Sequence, residues 1–229
     1  MKRTRRKLLT LASALVALVA INPAAARQQD PPKQGAHGGF QMSVHAHSSE
    51  TDGPSGAETL FETDPLPAPV PEGTTDFSYS AIPCSKQAPF NDTALNFNPN
   101  PYPIPDPAPV RFLIEGTVID GETGTVEGTI TTILCQESEE SEHTFITEFQ
   151  GRYRQVSDNE LRFTGTYRIV RGTGMFEDLT GQGSIKGSFT CLDPILERER
   201  AENCEDLGFF SDFVARLRGS FTDPTIPSS

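Results

Sequence analysis

Residues 145–169 read FITEFQGRYRQVSDNELRFTGTYRI, and this stretch decides the fold. Apolar residues and glycine alternate with polar residues up to the turn Ser157-Asp158-Asn159, and the alternation resumes after it. A period of two residues is typical of β-strands, so two such runs around a turn predict a hairpin. One face is apolar and the other polar, as in an antiparallel sheet with one wet face. This register predicts a surface ion pair between Glu148 and Arg168.

A glycine-centred motif extends the hairpin into a larger sheet. Gly lies two positions from an apolar residue on either side, and the motif recurs at Gly116, Gly128, Gly151, Gly165, Gly187 and Gly219. When each glycine is paired with the next, every hairpin centre falls in a segment rich in turn residues. The spacing therefore predicts a sequential meander in which each of these glycines lies opposite the next.

The glycine row also predicts how the sheet curves. Glycine weakens a strand unless the backbone bends sharply there or another chain approaches closely. A row across six strands indicates a coiled sheet that closes into a barrel, and Phe40–Ala46 and Phe77–Ala81 supply two further alternating segments. We expect an all-β fold, a small antiparallel meander barrel of about eight strands. The alternative for the glycines is that they hollow out a binding cavity.

Proline is concentrated ahead of the sheet. Fifteen of the 19 prolines lie between Pro31 and Pro109, and they alternate with other residues in Pro65–Pro71 and Pro99–Pro105. Proline lacks an amide donor and keeps its neighbour out of the helical region, so these stretches are extended. We expect residues 27–75 to be a largely irregular arm, a spacer or a strapped-down segment. The barrel domain is expected over 76–229, with its core strands in 110–222.

The first 26 residues have the pattern of an export signal. A basic cluster at 2–7 precedes the apolar run Leu8–Ile21, and small residues follow up to Ala26, where we expect cleavage. The adjacent Arg5 and Arg6 fit a twin-arginine signal, and an ordinary secretory signal fits equally well. No later apolar run is long enough to span a bilayer, so the expected location is secreted or periplasmic, without membrane insertion.

The charge balance excludes one class of partner. The chain carries 19 basic and 31 acidic residues, a net charge of −12. Without residues 1–26, which hold five basic residues and no acid, 14 basic and 31 acidic residues remain, a net charge of −17. Such a surface repels nucleic acid and anionic membranes.

Four cysteines in an exported chain predict disulfides. They are Cys84, Cys135, Cys191 and Cys204, and their spacing fits no zinc pattern. Three connectivities are open, as are free thiols. We favour Cys191–Cys204, which closes a local loop, with Cys84–Cys135 tying the proline-rich segment to the domain.

The segment 171–183 carries a resemblance to a known family. Its sequence RGTGMFEDLTGQG places Gly-Thr-Gly-x-Phe at a strand end and a Gly-led strand after it. The segment resembles the allene oxide cyclase-like and dirigent-like barrels, including small exported bacterial members, over about residues 110–222. The resemblance implies an eight-stranded antiparallel barrel and, in plant members, cofactor-free cyclisation of an epoxide or steering of radical coupling. From the residues themselves, we expect Gly172 and Gly174 to allow a tight positive-φ loop, Phe176 to close a barrel end, and Gly181 to lead the next strand.

Candidate binding residues are few. The apolar barrel face offers Phe149, Phe163, Tyr167, Phe189 and Phe221. His45 and His47 point the same way on a strand, but no third ligand is specified, so we expect a solvated pair, no metal and no cofactor. The chain contains no nucleophile elbow, phosphate-binding loop, dinucleotide fingerprint or zinc-protease motif, and no residue is assigned a catalytic role.

Two functions fit these features. The first is a non-enzymatic exported barrel that binds a small apolar ligand or a protein partner. The alternative is a cofactor-independent cyclase or isomerase, or a coupling-steering protein, which requires a pocket with a buried ionisable group. The oligomeric state is left open.

Overall fold

The chain folds almost entirely into β-strands. A computed structural model describes residues 35–48, 63–81, 94–136, 139–191 and 204–227. The strands are β1 Gly35–His47, β2 Leu66–Pro67, β3 Thr74–Ser80, β4 Ala94–Asn98, β5 Val110–Ile119, β6 Thr123–Gln136, β7 Glu139–Ser157, β8 Glu160–Gly172, β9 Thr180–Thr190, β10 Phe209–Phe210 and β11 Asp212–Pro227. A 3-10 turn lies at Gly174–Phe176 and a one-turn helix, α1, at Cys204–Leu207. Within the described ranges, no helix is long and apolar enough to cross a membrane.

Eight of the strands form a closed antiparallel ring. Strands β5 to β9 pair in chain order, and β9 pairs with β11. Strand β1 pairs with β11 along its whole length. On the other side β3 pairs with β5, and His47 of β1 lies opposite Ser80 of β3. Strand β4 lies against β1 from Gly39 to Ser43. The structure thus confirms the all-β meander barrel and the two upstream strands.

The pairing of the glycines is correct in two hairpins and wrong in the other three. Gly116 lies opposite Gly128, and Gly151 lies opposite Gly165, as expected. Gly128 instead faces Phe149, Gly165 faces Ile185 and Gly187 faces Ala215, while Gly183 takes the place opposite Gly219. Each error is two or four residues. An even shift keeps every side chain on its face, so neither alternation nor turn composition excludes it.

The paired glycines allow strands to approach more closely than any side chain permits. A Cβ atom on Gly165 would lie 1.9 Å from the carbonyl oxygen of Gln150, and one on Gly116 would lie 2.4 Å from that of Glu127. A Cβ on Gly219 would lie 2.0 Å from the carbonyl oxygen of Gln182. These contacts are with backbone, which has little freedom to move. They support the expectation that the glycines bend the sheet.

Strand β1 corrects the expected domain boundary. Gly35–His47 lies inside the segment 27–75, for which an irregular arm was expected, yet it pairs with β11 over 13 residues. Its alternate residues Phe40, Met42, Val44 and Ala46 are buried. Burial of this apolar face stabilises the strand, so the barrel includes Gly35–His47 and is not confined to residues 76–229.

The proline-rich stretches cover the two ends of the barrel. Leu66, Ala68 and Val70 are buried in the first stretch, where β2 pairs with β10. Tyr102 is buried in the second, against Phe97 and Phe176. The proline-rich stretches are therefore held against the barrel as covers, which agrees with the expected role of a strapped-down segment and not with that of a spacer.

The expected local disulfide is present. Cys191 and Cys204 are bonded, with their Cα atoms 5.6 Å apart, and join the end of β9 to α1. Cys135 is also disulfide-bonded, and its expected partner Cys84 lies outside the described residues. The export signal at residues 1–26 lies outside them too.

Candidate functional site

The five aromatic residues expected to bind an apolar ligand form the core of the barrel. Phe149, Phe163, Tyr167, Phe189 and Phe221 are each at most 3% exposed. The ring of Phe163 lies 5.9 Å from that of Phe149 and 5.8 Å from that of Phe189. Aromatic pairs at these separations stabilise one another beyond their burial. The ring of Tyr167 contacts Phe40 and that of Phe221 contacts Phe97, so all five positions serve packing in the described part of the interior.

The end of the barrel near Phe176 contains a buried carboxylate whose hydrogen bonds are made within the fold. The hydroxyl of Tyr102 donates to Oδ2 of Asp223 at 2.8 Å. The amide and hydroxyl of Thr225 donate to Oδ1 at 3.0 and 2.7 Å. Asp223 is thus one buried ionisable group of the kind that the cyclase alternative requires, but its oxygens accept hydrogen bonds that hold the cover in place.

The loop between β8 and β9, which carries the family resemblance, has a structural role. Gly174 has φ +58°, as expected, whereas Gly172 is required because a Cβ there would lie 1.8 Å from the carbonyl oxygen of Phe176. Phe176 is fully buried against Phe145. Gly181 is the second residue of β9, where a Cβ would lie 2.8 Å from the side chain of Ile169. His143 accepts a hydrogen bond from the amide of the loop residue Met175.

All four tyrosines are buried, and burial raises the pKa of each phenol. They are Tyr79, Tyr102, Tyr153 and Tyr167, and the chain has no tryptophan. Because the folded pKa values lie above the unfolded value of about 10, the tyrosines favour folding below that pH and this contribution is lost as pH rises. We expect no tyrosinate absorbance to develop near pH 10 while the protein is folded, followed by ionisation of all four on alkaline unfolding. Ultraviolet titration beside far-ultraviolet circular dichroism checks this. A tyrosine that ionises near pH 10 in the native fold would contradict it.

The outer face of the barrel carries an open polar groove of about 980 Å³. A row of residues from neighbouring strands runs across it: Thr129, Glu148, Arg168, Gln182 and Ser220. Glu148 and Arg168 form the expected ion pair, with Arg168 Nη2 2.9 Å from Glu148 Oε2. The two side chains are 51% and 69% exposed, so the pair contributes little to stability.

The expectation of a solvated histidine pair is wrong. His45 and His47 point outward from β1, and their side chains are only 16% and 15% exposed. Asp212, 1% exposed, lies directly across from His47 on β11. His45 Nε2 is 3.3 Å from Asp212 Oδ1, and His47 Nδ1 contacts the same oxygen. Asp212 is the third group that sequence reasoning missed.

The environment of Asp212 favours its ionised form. Burial alone would raise the pKa of this carboxyl. Hydrogen bonds from His45, His47 and Ser211, together with the charge of His47, outweigh burial and hold the pKa below its usual value. An ionised carboxylate with two imidazoles on one oxygen can bind a cation or a proton.

A signal for Asp212 exists in the sequence but needs the barrel to be closed first. Asp212 is 165 residues from His47 and immediately precedes the alternating run that begins at Phe213. Only the pairing of β1 with β11 brings the two together.

Comparison of the chain with protein-family models, with curated proteins and with solved structures found no match.

Proposed function

We propose that the protein is an exported, non-enzymatic binding module that takes a partner protein in the polar groove on the outside of its barrel. The observation that carries the proposal is the groove itself, about 980 Å³ of open space lined by polar side chains and by glycines of adjacent strands. The buried aromatic residues pack together inside the described barrel. This packing favours binding of a protein partner on the outside over binding of an apolar ligand in the interior.

The chemistry of the groove suits a polar segment of a partner. Gln150, Thr166 and Gln182 offer both donors and acceptors, and Glu148 and Arg168 add one charge of each sign.

Export is supported by the sequence and by the sulfur chemistry. The basic, apolar and small-residue order of residues 1–26 is typical of a cleaved signal. The bonded pair Cys191–Cys204 fits an oxidising compartment. A secreted or periplasmic location follows as part of the proposal.

Membership of the allene oxide cyclase-like or dirigent-like barrels is likewise a proposal. The ring of eight strands and the turn Gly174–Phe176 between β8 and β9 support it. The enzymatic activities of that family require an interior pocket, and the buried aromatic core and the hydrogen-bonded Asp223 support binding better than cyclisation.

Site-specific photo-cross-linking in the host tests the proposed groove. A photoreactive residue at Gln150 in the groove is compared with one at Gln41, which is exposed on β1 outside it. We expect a discrete cross-linked partner from Gln150 alone, and weaker cross-linking when Arg168→Ala is added. Equal cross-linking from both positions, or from Gln41 alone, would overturn the groove as the binding surface.

A further inference from the structure

We propose that His45, His47 and Asp212 bind a divalent transition-metal ion of the Zn²⁺ class on the outer face of the barrel. One ligand atom from each residue lies within 4.8 Å of the other two. Two imidazoles and a carboxylate are ligands that Zn²⁺ and its neighbours in the first transition row accept. This site is separate from the groove, and the inference does not depend on the proposed function.

The spacing of the ligand atoms fits an ion. With metal–ligand distances near 2.1 Å, two ligands of a tetrahedral ion lie about 3.4 Å apart. His45 Nε2 and Asp212 Oδ1 are 3.3 Å apart. His47 Nδ1 contacts the same oxygen, so its ring must turn away from Asp212 Oδ1 to admit an ion between them. The two imidazole rings meet edge to face with centroids 4.6 Å apart, and His45 Nε2 and His47 Nδ1 both contact Asp212 Oδ1.

The fold holds the three ligands on rigid elements. His47 and Asp212 are cross-strand neighbours, and the His-x-His spacing places His45 on the same face. The hydroxyl of Ser211 contacts Asp212 Oδ2 as a donor, which leaves Oδ1 for the histidines. The carbonyl of Ser211 accepts a hydrogen bond from the amide of Ser48 at 2.9 Å. The contact of the Ser211 hydroxyl with Asp212 is of the kind that orients a metal ligand and raises metal affinity.

The charge and accessibility of the site also suit a cation. Asp212 is almost fully buried, and a carboxylate there needs a cationic or hydrogen-bonding partner. The histidine side chains retain 15–16% exposure, so an ion can enter from solvent. Three protein ligands leave a tetrahedral ion one position for water.

Zinc titration of the full chain, purified without an affinity tag, tests the site. We expect one equivalent of Zn²⁺ by calorimetry, and the visible absorption of tetrahedral Co²⁺ when cobalt replaces zinc. Loss of a supporting hydrogen bond typically weakens metal binding by about 10–100-fold, so we expect at least about 100-fold from His45→Ala or His47→Ala, and about tenfold from Ser211→Ala.

His37→Ala is the matched control. His37 lies on the same strand, and its Nδ1 contacts the carbonyl oxygen of Gly35 outside the cluster. We expect its zinc affinity to equal that of the unmodified protein. Asp212→Asn, which keeps the size of the buried side chain, should lose the tetrahedral cobalt spectrum while circular dichroism verifies its fold. Zinc binding that survives in the His45→Ala/His47→Ala double variant, or no stoichiometric binding by the unmodified chain, would overturn the proposal.

Discussion

A Gly165→Ala protein is expected to lose about 3 kcal/mol of unfolding free energy, at the upper end of the cost of overpacking. The added Cβ would lie 1.9 Å from the carbonyl oxygen of Gln150 and 2.6 Å from the Cα of Gly151. Both atoms belong to the backbone of β7, so relief requires the two strands to separate. Their hydrogen bonds and the aromatic layer beneath them would be disturbed together.

Gly39→Ala is the control for this substitution. Gly39 is exposed on β1, where a Cβ would lie 3.6 Å from the nearest atom, the carbonyl oxygen of Asn98. We expect a change within about 0.5 kcal/mol, typical of a surface position. Urea unfolding followed by circular dichroism measures both variants. Equal stability of the two would show that the glycine row does not set the curvature.

A Phe213→Ala protein is expected to lose about 3–5 kcal/mol, the cost of removing a buried phenyl ring and leaving a cavity. Phe213 is fully buried, and its ring lies 5.3 Å from that of Phe189 and 5.6 Å from that of Phe163. It also approaches Tyr79 and Phe149. These neighbours come from four strands around the ring, so they cannot close the space without moving the barrel wall.

Val214→Ala provides the comparison for Phe213→Ala. Val214 is the next residue of β11, half-buried and on the opposite face. Its loss of apolar contact should cost about 1 kcal/mol or less. The two values are comparable if the unfolding free energy of each protein falls with denaturant concentration at the same slope. A loss below about 1.5 kcal/mol for Phe213→Ala would indicate a loosely filled interior, such as a ligand cavity requires.

The alternation of apolar and polar residues and the spacing of the glycines are sufficient to predict the barrel, because both patterns are visible in short stretches of sequence. The strand pattern around Gly151 and Gly165 predicts the hairpin, its register and the pair of Glu148 with Arg168. In the other three hairpins the observed register differs from the predicted one by two or four residues, because turn composition does not distinguish registers that differ by an even number of residues. The proline-rich composition of residues 27–75 predicts an irregular segment there, although β1 lies within it and pairs with the last strand of the barrel.

The candidate sites were harder to predict because they depend on long-range closure. Alternation places the five aromatics on the apolar face, but only the structure shows that they are buried in the core. The sequence indicates the histidine pair, while Asp212 joins it only through the pairing of β1 with β11. The groove needed the register of six strands, so no local motif indicates it.

The most direct test of a packed interior with binding on the outside is an NMR titration with benzene, a probe that enters dry apolar cavities. We expect no shift of the interior aromatic resonances in the unmodified protein, and saturable shifts in Phe213→Ala, where removal of the ring opens space beside Phe163 and Phe189. Saturable binding to the unmodified protein, with shifts at Phe149, Phe163 or Phe189, would contradict the account and place an apolar site inside the barrel.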